Sequence, residues 1–315
     1  MKKKVAGLFF VSALLFSAAA GLLLVDSAKA NGIPLPKVPV IGINGDGSIT
    51  PETDLISRNG NTYTLTANVN EYEISIGCSN IVFDGAGHTI NITKGDNSGL
   101  SLGSVSNVTI KNVEVQSSYT NIHLYYSSNC TLTDVKANNR IYLLEGDSNV
   151  ITKSSMNSLH VDSNDNSISK NSIFVELFVG GRNNIFSKNN FLFEDLPIIL
   201  YNNIWDDGSV GNYWGNYSTR YPDAREIGNT GIGNMPYVIE RDTRARGLWD
   251  PNATNIDRYP LIYPYDIEKD AIAFPAREPL SEPEPFPTAL AVGASGASIA
   301  IIGVGLLVYF KKRKH

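Results

Sequence analysis

Five short runs decide the fold: Asn107-Val-Thr-Ile-Lys-Asn112, Asn129-Cys-Thr-Leu-Thr-Asp134, Asn149-Val-Ile-Thr-Lys-Ser154, Asn166-Ser-Ile-Ser-Lys-Asn171 and Asn184-Ile-Phe-Ser-Lys-Asn189. Their opening asparagines recur every 17 to 22 residues, a period of short β-prone runs and polar turns. Such a unit cannot bury its apolar face alone, so neighbours stack and share one elongated core. The expectation is an all-β chain: a right-handed, single-stranded parallel β-helix.

A second column tests the register. Seven and five residues before each opening Asn stand Leu100 and Leu102, Ile122 and Leu124, Tyr142 and Leu144, Leu159 and Val161, Leu177 and Val179. All are apolar or aromatic and alternate with other residues, as a strand with one buried face requires. The asparagines fit a turn, where Asn tolerates left-handed backbone angles and its amide can bond the same residue one coil along. Asn107, Asn129, Asn149, Asn166 and Asn184 are therefore expected to form one shielded ladder.

Both chain ends have membrane-type composition. A basic start, an apolar stretch over 5–25 and the Ala28-Lys29-Ala30 cleavage pattern read as a signal peptide over 1–30. Residues 288–310 carry no charge and precede Lys311-Lys312-Arg313-Lys314, which reads as a transmembrane helix with a basic cytoplasmic tail over 311–315. Between them lie a Gly/Pro/Asp-rich lead-in (31–61), the repeats (62–203), an aromatic-rich C-terminal cap (204–262) and a Pro/Glu-rich stalk (263–287). Cap candidates are Trp205, Trp214, Tyr237 and Tyr259, because an open solenoid end must be covered. The predicted location is the cell membrane, single-pass, with the N-terminal bulk outside.

Without the two ends, 18 basic residues face 30 acidic ones, near −12. That surface repels polyanions, and no nucleic-acid partner is expected. Cys78 and Cys130 occupy different registers, so a disulfide is allowed but free thiols are expected. Sequons occur at Asn91, Asn107, Asn129, Asn216 and Asn252. With Asn107 and Asn129 assigned to the ladder, glycosylation is expected at Asn91, Asn216 and Asn252.

The quoted coils resemble parallel β-helix repeats of the pectin-lyase-like superfamily. The first coil, Asp84-Gly-Ala-Gly-His-Thr-Ile90, joins an end that reads Trp205, Gly211-Asn-Tyr-Trp214, Gly231-Ile-Gly233, Pro236-Tyr237 and Tyr259-Pro-Leu261. Together they resemble the NosD-type, periplasmic copper-binding branch over about residues 45–262. With stalk, anchor and basic tail, the chain looks like archaeal surface proteins of that branch. The resemblance implies binding or processing of carbohydrate at a cell surface, or help in the maturation of a partner metalloenzyme. The family's end segment often carries acids where this chain reads Asn229-Thr-Gly-Ile-Gly-Asn234, and with three Met and four His soft-metal ligation is poorly served. No metal or other cofactor is expected.

The register also names outward residues. Six before each Asn stand Ser101, His123, Leu143, His160 and Phe178; four before stand Gly103, Tyr125, Glu145, Asp162 and Gly180. His123 and His160 would lie two coils, about 9–10 Å, apart, too far for one metal. Glu145 and Asp162 would stack roughly 5 Å apart, near the spacing of a retaining glycosidase pair, with Tyr125 free to stack on a sugar. Lys153, Lys170 and Lys188 form a further column that either clamps an acidic glycan or keeps a turn soluble. His88, in the Gly-rich opening turn, reads as structural.

The leading expectation is a non-catalytic, membrane-anchored surface protein that binds carbohydrate or forms part of the envelope coat, partnered by an envelope polysaccharide or surface-layer protein. The alternatives are a polysaccharide hydrolase or lyase using Glu145 and Asp162, and a copper-related accessory protein.

Overall fold

Three short strands per coil, each with apolar residues on alternate positions, leave one face of every strand pointing inward. A computed structural model describes residues 37–240, 250 and 252–275, and shows a parallel β-solenoid of about eight turns. Its first sheet aligns Tyr63, Phe83, Ile110, Leu132, Ile151, Ile168 and Phe186, one per coil. The second aligns Ile90, Val115, Ala137, Met156, Ile173, Phe191 and Trp214. The third carries two inward columns, Leu100–Ile122–Ile141–Leu159–Leu177 and Leu102–Leu124–Leu143–Val161–Val179. All of these side chains are buried. The apolar interior is thus a set of axial stacks rather than one central cluster.

Corners fix the coils. Two of the three corners carry residues in the left-handed conformation, a state Asn and Asp tolerate best among side chains other than glycine. One corner column reads Asn80, Asn107, Asn129, Ser148, Asp165 and Asn183, with φ between 55° and 60°. A second corner reads Asn112, Asp134, Lys153, Lys170 and Lys188, while Ser104, Tyr126 and Glu145 are also left-handed, three residues before Asn107, Asn129 and Ser148 in the same turn. The lysine column exists at the expected register.

The asparagine ladder differs from expectation by one residue in its early coils. Strand pairing puts Val108, Cys130, Asn149, Asn166 and Asn184 in one buried column. Asn107 and Asn129 are one position earlier, on the exposed left-handed corner. The misreading has a physical source: Asn suits both the left-handed corner and the buried position after it. A second slip follows in the coil of Asn149. Six residues separate Leu143 from Asn149, whereas five separate Val161 from Asn166. Leu124 and Cys130, in the coil before, are also six apart, so the coils of Asn166 and Asn184 are the ones shorter by a residue at this turn. Leu143 is therefore inward, while Tyr142 and Leu144 face outward.

From Asn149 onward the ladder is continuous. The backbone N–H groups of Asn149, Asn166 and Asn184 donate to Oδ1 of Asn166, Asn184 and Asn203, at 2.8, 2.9 and 2.9 Å. Five residues further along each coil runs a second ladder. The N–H groups of Ser154, Asn171 and Asn189 donate to Oδ1 of Asn171, Asn189 and Asn212, at 3.0, 3.0 and 3.1 Å. These amides satisfy backbone that turns inward at a corner, where an unpaired group would be costly.

Both ladders end on one downstream segment. Asn203 N–H and Trp205 Nε1 donate to Asn255 Oδ1, at 3.0 and 2.9 Å. Asn212 N–H and Trp214 Nε1 donate to Asp257 Oδ2, at 2.8 and 2.9 Å. Ring stacking continues the axial columns: Phe186 on Trp205 at 4.5 Å and Trp214 on Tyr237 at 4.3 Å. Trp205, Trp214 and Tyr237 are buried as expected of a cap. The Tyr259 ring is only half-buried, and this residue acts through its backbone, which accepts from Gly211 N–H and donates to Asp257 Oδ1.

The solenoid reaches beyond its expected limits. Val40–Ile43, in the expected lead-in, pairs in parallel with Glu73–Ile76 and supplies the first rung of the third sheet. Past the cap, Tyr265–Asp266 and Ala271–Ile272 form a hairpin, and Tyr265 exchanges two hydrogen bonds with Asn190. The expected leader (1–30), transmembrane helix (288–310) and basic tail (311–315) lie outside the described residues, as does the stalk from 276 onward. Among the described residues no helix is long and apolar enough to cross a membrane. Cys78 is half-buried and Cys130 buried, and both are free thiols.

Two stability measurements follow. Asn166→Leu strands polar groups in two coils and is expected to cost about 1–3 kcal/mol. Asn107→Asp, on the exposed corner, should stay within about ±0.5 kcal/mol. Equal urea midpoints for the two variants would reject the register given above. The second concerns Asp257, whose carboxyl is pushed up to about 7 by burial, against the donors of Trp214, Asn212 and Tyr259. A folded-state value above the ordinary 3.8 means its contribution is full below about pH 4 and declines as pH rises towards 7. The slope is about 1.4 kcal/mol per pH unit. Unfolding free energies measured from pH 4 to 8 should show this decline, and Asp257→Asn should flatten it.

Candidate functional site

The outward side of the third sheet carries a column of polar and aromatic side chains. Because strand residues alternate, the residues between the two inward columns form one outward column: Ser101, His123, Tyr142, His160 and Phe178. Their rings follow one another along the axis. His123 stacks on Tyr142 with centroids 5.2 Å apart, Tyr142 meets His160 edge-on at 5.7 Å, and His160 lies 5.3 Å from Phe178. The ring faces are turned largely on each other, so this column offers edges to a ligand rather than flat platforms.

Polar groups on those edges are only partly satisfied. Tyr142 Oη donates to Asp162 Oδ2 at 2.9 Å, and His160 Nε2 lies 3.0 Å from Glu176 Oε2. His123 Nε2 and Arg140 Nε are shielded and lack a hydrogen-bond partner. Burial raises the Asp162 carboxyl above the ordinary range despite the Tyr142 bond. It lowers the imidazoles of His123 and His160, the latter despite Glu176. Both histidines are thus biased towards the neutral form, and a neutral imidazole both donates and accepts.

The flat aromatic surface lies at the margins. Tyr119, at the start of one coil's strand, is 57% exposed; Tyr125 and Tyr126, at its end, are 44% and 52% exposed. Tyr125 and Tyr126 meet edge to face at 4.3 Å. Large exposed rings beside a polar floor are the ingredients of a site for a ligand with both apolar and hydroxyl-bearing faces.

Several expected site residues change place. Tyr125 is at the predicted position in the outer column, but its neighbour one coil on is Leu144 rather than Glu145. Leu144 in turn pairs with Asp162. Glu145 sits one residue later on the exposed corner, where its backbone N–H donates to Asp162 O at 3.2 Å. Glu145 and Asp162 are therefore not strand partners, although the Glu145 charge is among the causes that raise the Asp162 carboxyl. Leu143, expected outward, is buried, and Tyr142 takes its place between the two histidines. Sequence reading missed Tyr142, Arg140 and Glu176; a consistent alternation through Ile141 and Leu143 would have exposed the first.

Other candidates are held by internal partners. Lys170 pairs with Asp270 and Lys188 with Asp207, at 2.7 and 2.8 Å, which leaves Lys153 the column member with no such pair. His88 Nδ1 is 3.3 Å from Asn68 Oδ1, within the opening turn. Among the described residues no three His, Cys, Asp or Glu side chains gather as metal ligands.

Tyr142→Phe removes the one side-chain hydroxyl bonded to Asp162 and should raise that carboxyl further. A raised carboxyl costs stability as pH climbs through its titration. The variant should therefore lose about 1–3 kcal/mol at pH 8 and less at pH 4, as read by urea unfolding at both. No family model, curated protein or solved structure matches the chain.

Proposed function

We propose that the chain is an exported, membrane-anchored solenoid that binds carbohydrate through the outward side of its third sheet, as a non-catalytic component of the cell envelope. The observation that carries this reading is exposed Tyr119, Tyr125 and Tyr126 at the border of a column of half-buried polar rings, His123, Tyr142 and His160. Sugars present a C–H face that suits an aromatic ring and hydroxyls that seek buried donors and acceptors. Export and anchoring rest on the composition of 1–30 and 288–314. An envelope polysaccharide is the favoured partner, and a surface-layer protein the alternative. The likeness to the NosD-type branch supports a cell-surface role, while its copper chemistry has no ligand set among the described residues to rest on.

A second reading, a polysaccharide hydrolase or lyase, draws on one observation. Asp162 has the raised carboxyl that a general acid needs, with Tyr142 beside it. Release of reducing or unsaturated ends, lost in Asp162→Asn and kept in Glu145→Gln, would promote it.

The binding reading is tested with soluble residues 31–287 on a glycan array, followed by calorimetry on the best ligand. Tyr125→Ala should weaken binding about tenfold, near 1.4 kcal/mol. Lys153→Ser, on a different corner, should leave affinity unchanged. An array with no binding would leave only the coat role.

A further inference from the structure

The sequon asparagines differ in what their side chains already do. Asn216 is committed: Tyr237 Oη donates to its Oδ1 at 2.9 Å, and its Nδ2 donates to Glu194 O at 3.4 Å. Asn91 is half-buried within the strand Thr89–Ile92. Asn129 is exposed, stands on the left-handed corner with φ of 55°, and has no side-chain hydrogen bond among the described residues. Thr131, the third sequon residue, opens the next strand with its side chain half-exposed.

We propose that Asn129 is an attachment site for an N-linked oligosaccharide. The assignment rests on the export reading above and replaces the expectation that Asn129 is shielded in the ladder. In the transfer, Asn129 Nδ2 attacks the anomeric carbon of a polyprenyl-phosphate-linked oligosaccharide. The C–N bond forms as the C–O bond to phosphate breaks; the phosphate leaves with the electron pair, and the amide loses one proton to the transferase. The exposed corner leaves the Asn129 side chain open to a transferase. Asn107, on the same corner one coil earlier, is less free, because its Nδ2 donates to Asn80 Oδ1 at 3.0 Å. It also lies about 4.8 Å from Asn129 by coil spacing, too close for two branched glycans side by side. Because Asn129 follows Tyr125 and Tyr126 on the same corner, its glycan stands at the edge of the candidate binding face.

The test uses the full chain with its own leader, produced in a secretory cell that makes N-glycans. Enzymatic glycan release in 18O water converts an occupied Asn to labelled Asp, read by peptide mass. The expected result is label at position 129 and a mobility increase in both Asn129→Asp and Thr131→Val. Asn129→Asp keeps a residue suited to the left-handed corner, and Thr131→Val keeps a β-branched strand residue, so neither change confuses misfolding with loss of the sequon. Unlabelled Asn129 in exported protein overturns the site. Chain retained in the cell with its leader uncut overturns the export reading, and the site with it.

Discussion

Every coil must turn three corners, and at two of them backbone N–H groups point into a space closed to water. The rest of the structure depends on giving those groups partners. In the later coils the partner is an asparagine amide from the next rung, which accepts one N–H and donates to a carbonyl or to the amide beyond it. Asn189 Nδ2, for example, reaches both Ile168 O and Asn212 Oδ1, at 2.8 and 2.9 Å. Earlier coils place Val108, Cys130, Val113 and Val135 in the same columns. There the Asn149 and Ser154 side chains accept the N–H groups of Cys130 and Val135, at 2.9 and 3.2 Å. The change from apolar to polar corner residues, Cys130 to Asn149 and Val135 to Ser154, happens in one coil and in both columns together.

That constraint separates what the sequence made legible from what it did not. The period, the parallel stacking and an aromatic cluster after the repeats follow from side-chain pattern, and the structure has them. The second ladder was in plain view, since Asn171 and Asn189 close the very runs that Asn166 and Asn184 open. It went unread because only the opening residue was compared from run to run. The one-residue slip at Asn107 and Asn129 has a different cause. Strand pairing, which reports backbone rather than residue type, distinguishes a left-handed corner from the buried site beside it; residue type alone cannot. The turn before Asn149 is one residue longer than those before Asn166 and Asn184, so a fixed span of five exchanges inside for outside in that coil, and with it the identity of the candidate site.

The outward face illustrates how a solenoid accumulates a site. No single coil holds a constellation; His123, Tyr142 and His160 come from three successive rungs, and neighbouring positions add Arg140, Asp162 and Glu176. Packing between rings uses up the faces that a ligand would otherwise cover. What remains available is the polar edge of the column and the tyrosines at its borders. A ligand that spans several rungs is therefore matched better than a compact one, and its contacts alternate between hydroxyl-directed and ring-directed along its width.

The two ladders run in one direction, each rung leaning on the next, and the final acceptors are Asn255 and Asp257. Those residues lie 52 and 45 positions after Asn203 and Asn212, the rungs they complete. During synthesis, coils form from the first rung onward, yet the last rungs stay open until this short segment has been made. A ribosome that stops early releases a chain with Phe186, Phe191 and both tryptophan positions unroofed and with two inward N–H groups lacking acceptors. Such a product carries its own mark of incompleteness, readable by chaperones and proteases as exposed aromatic surface. Asn255 and Asp257 supply those acceptors and close the last rungs.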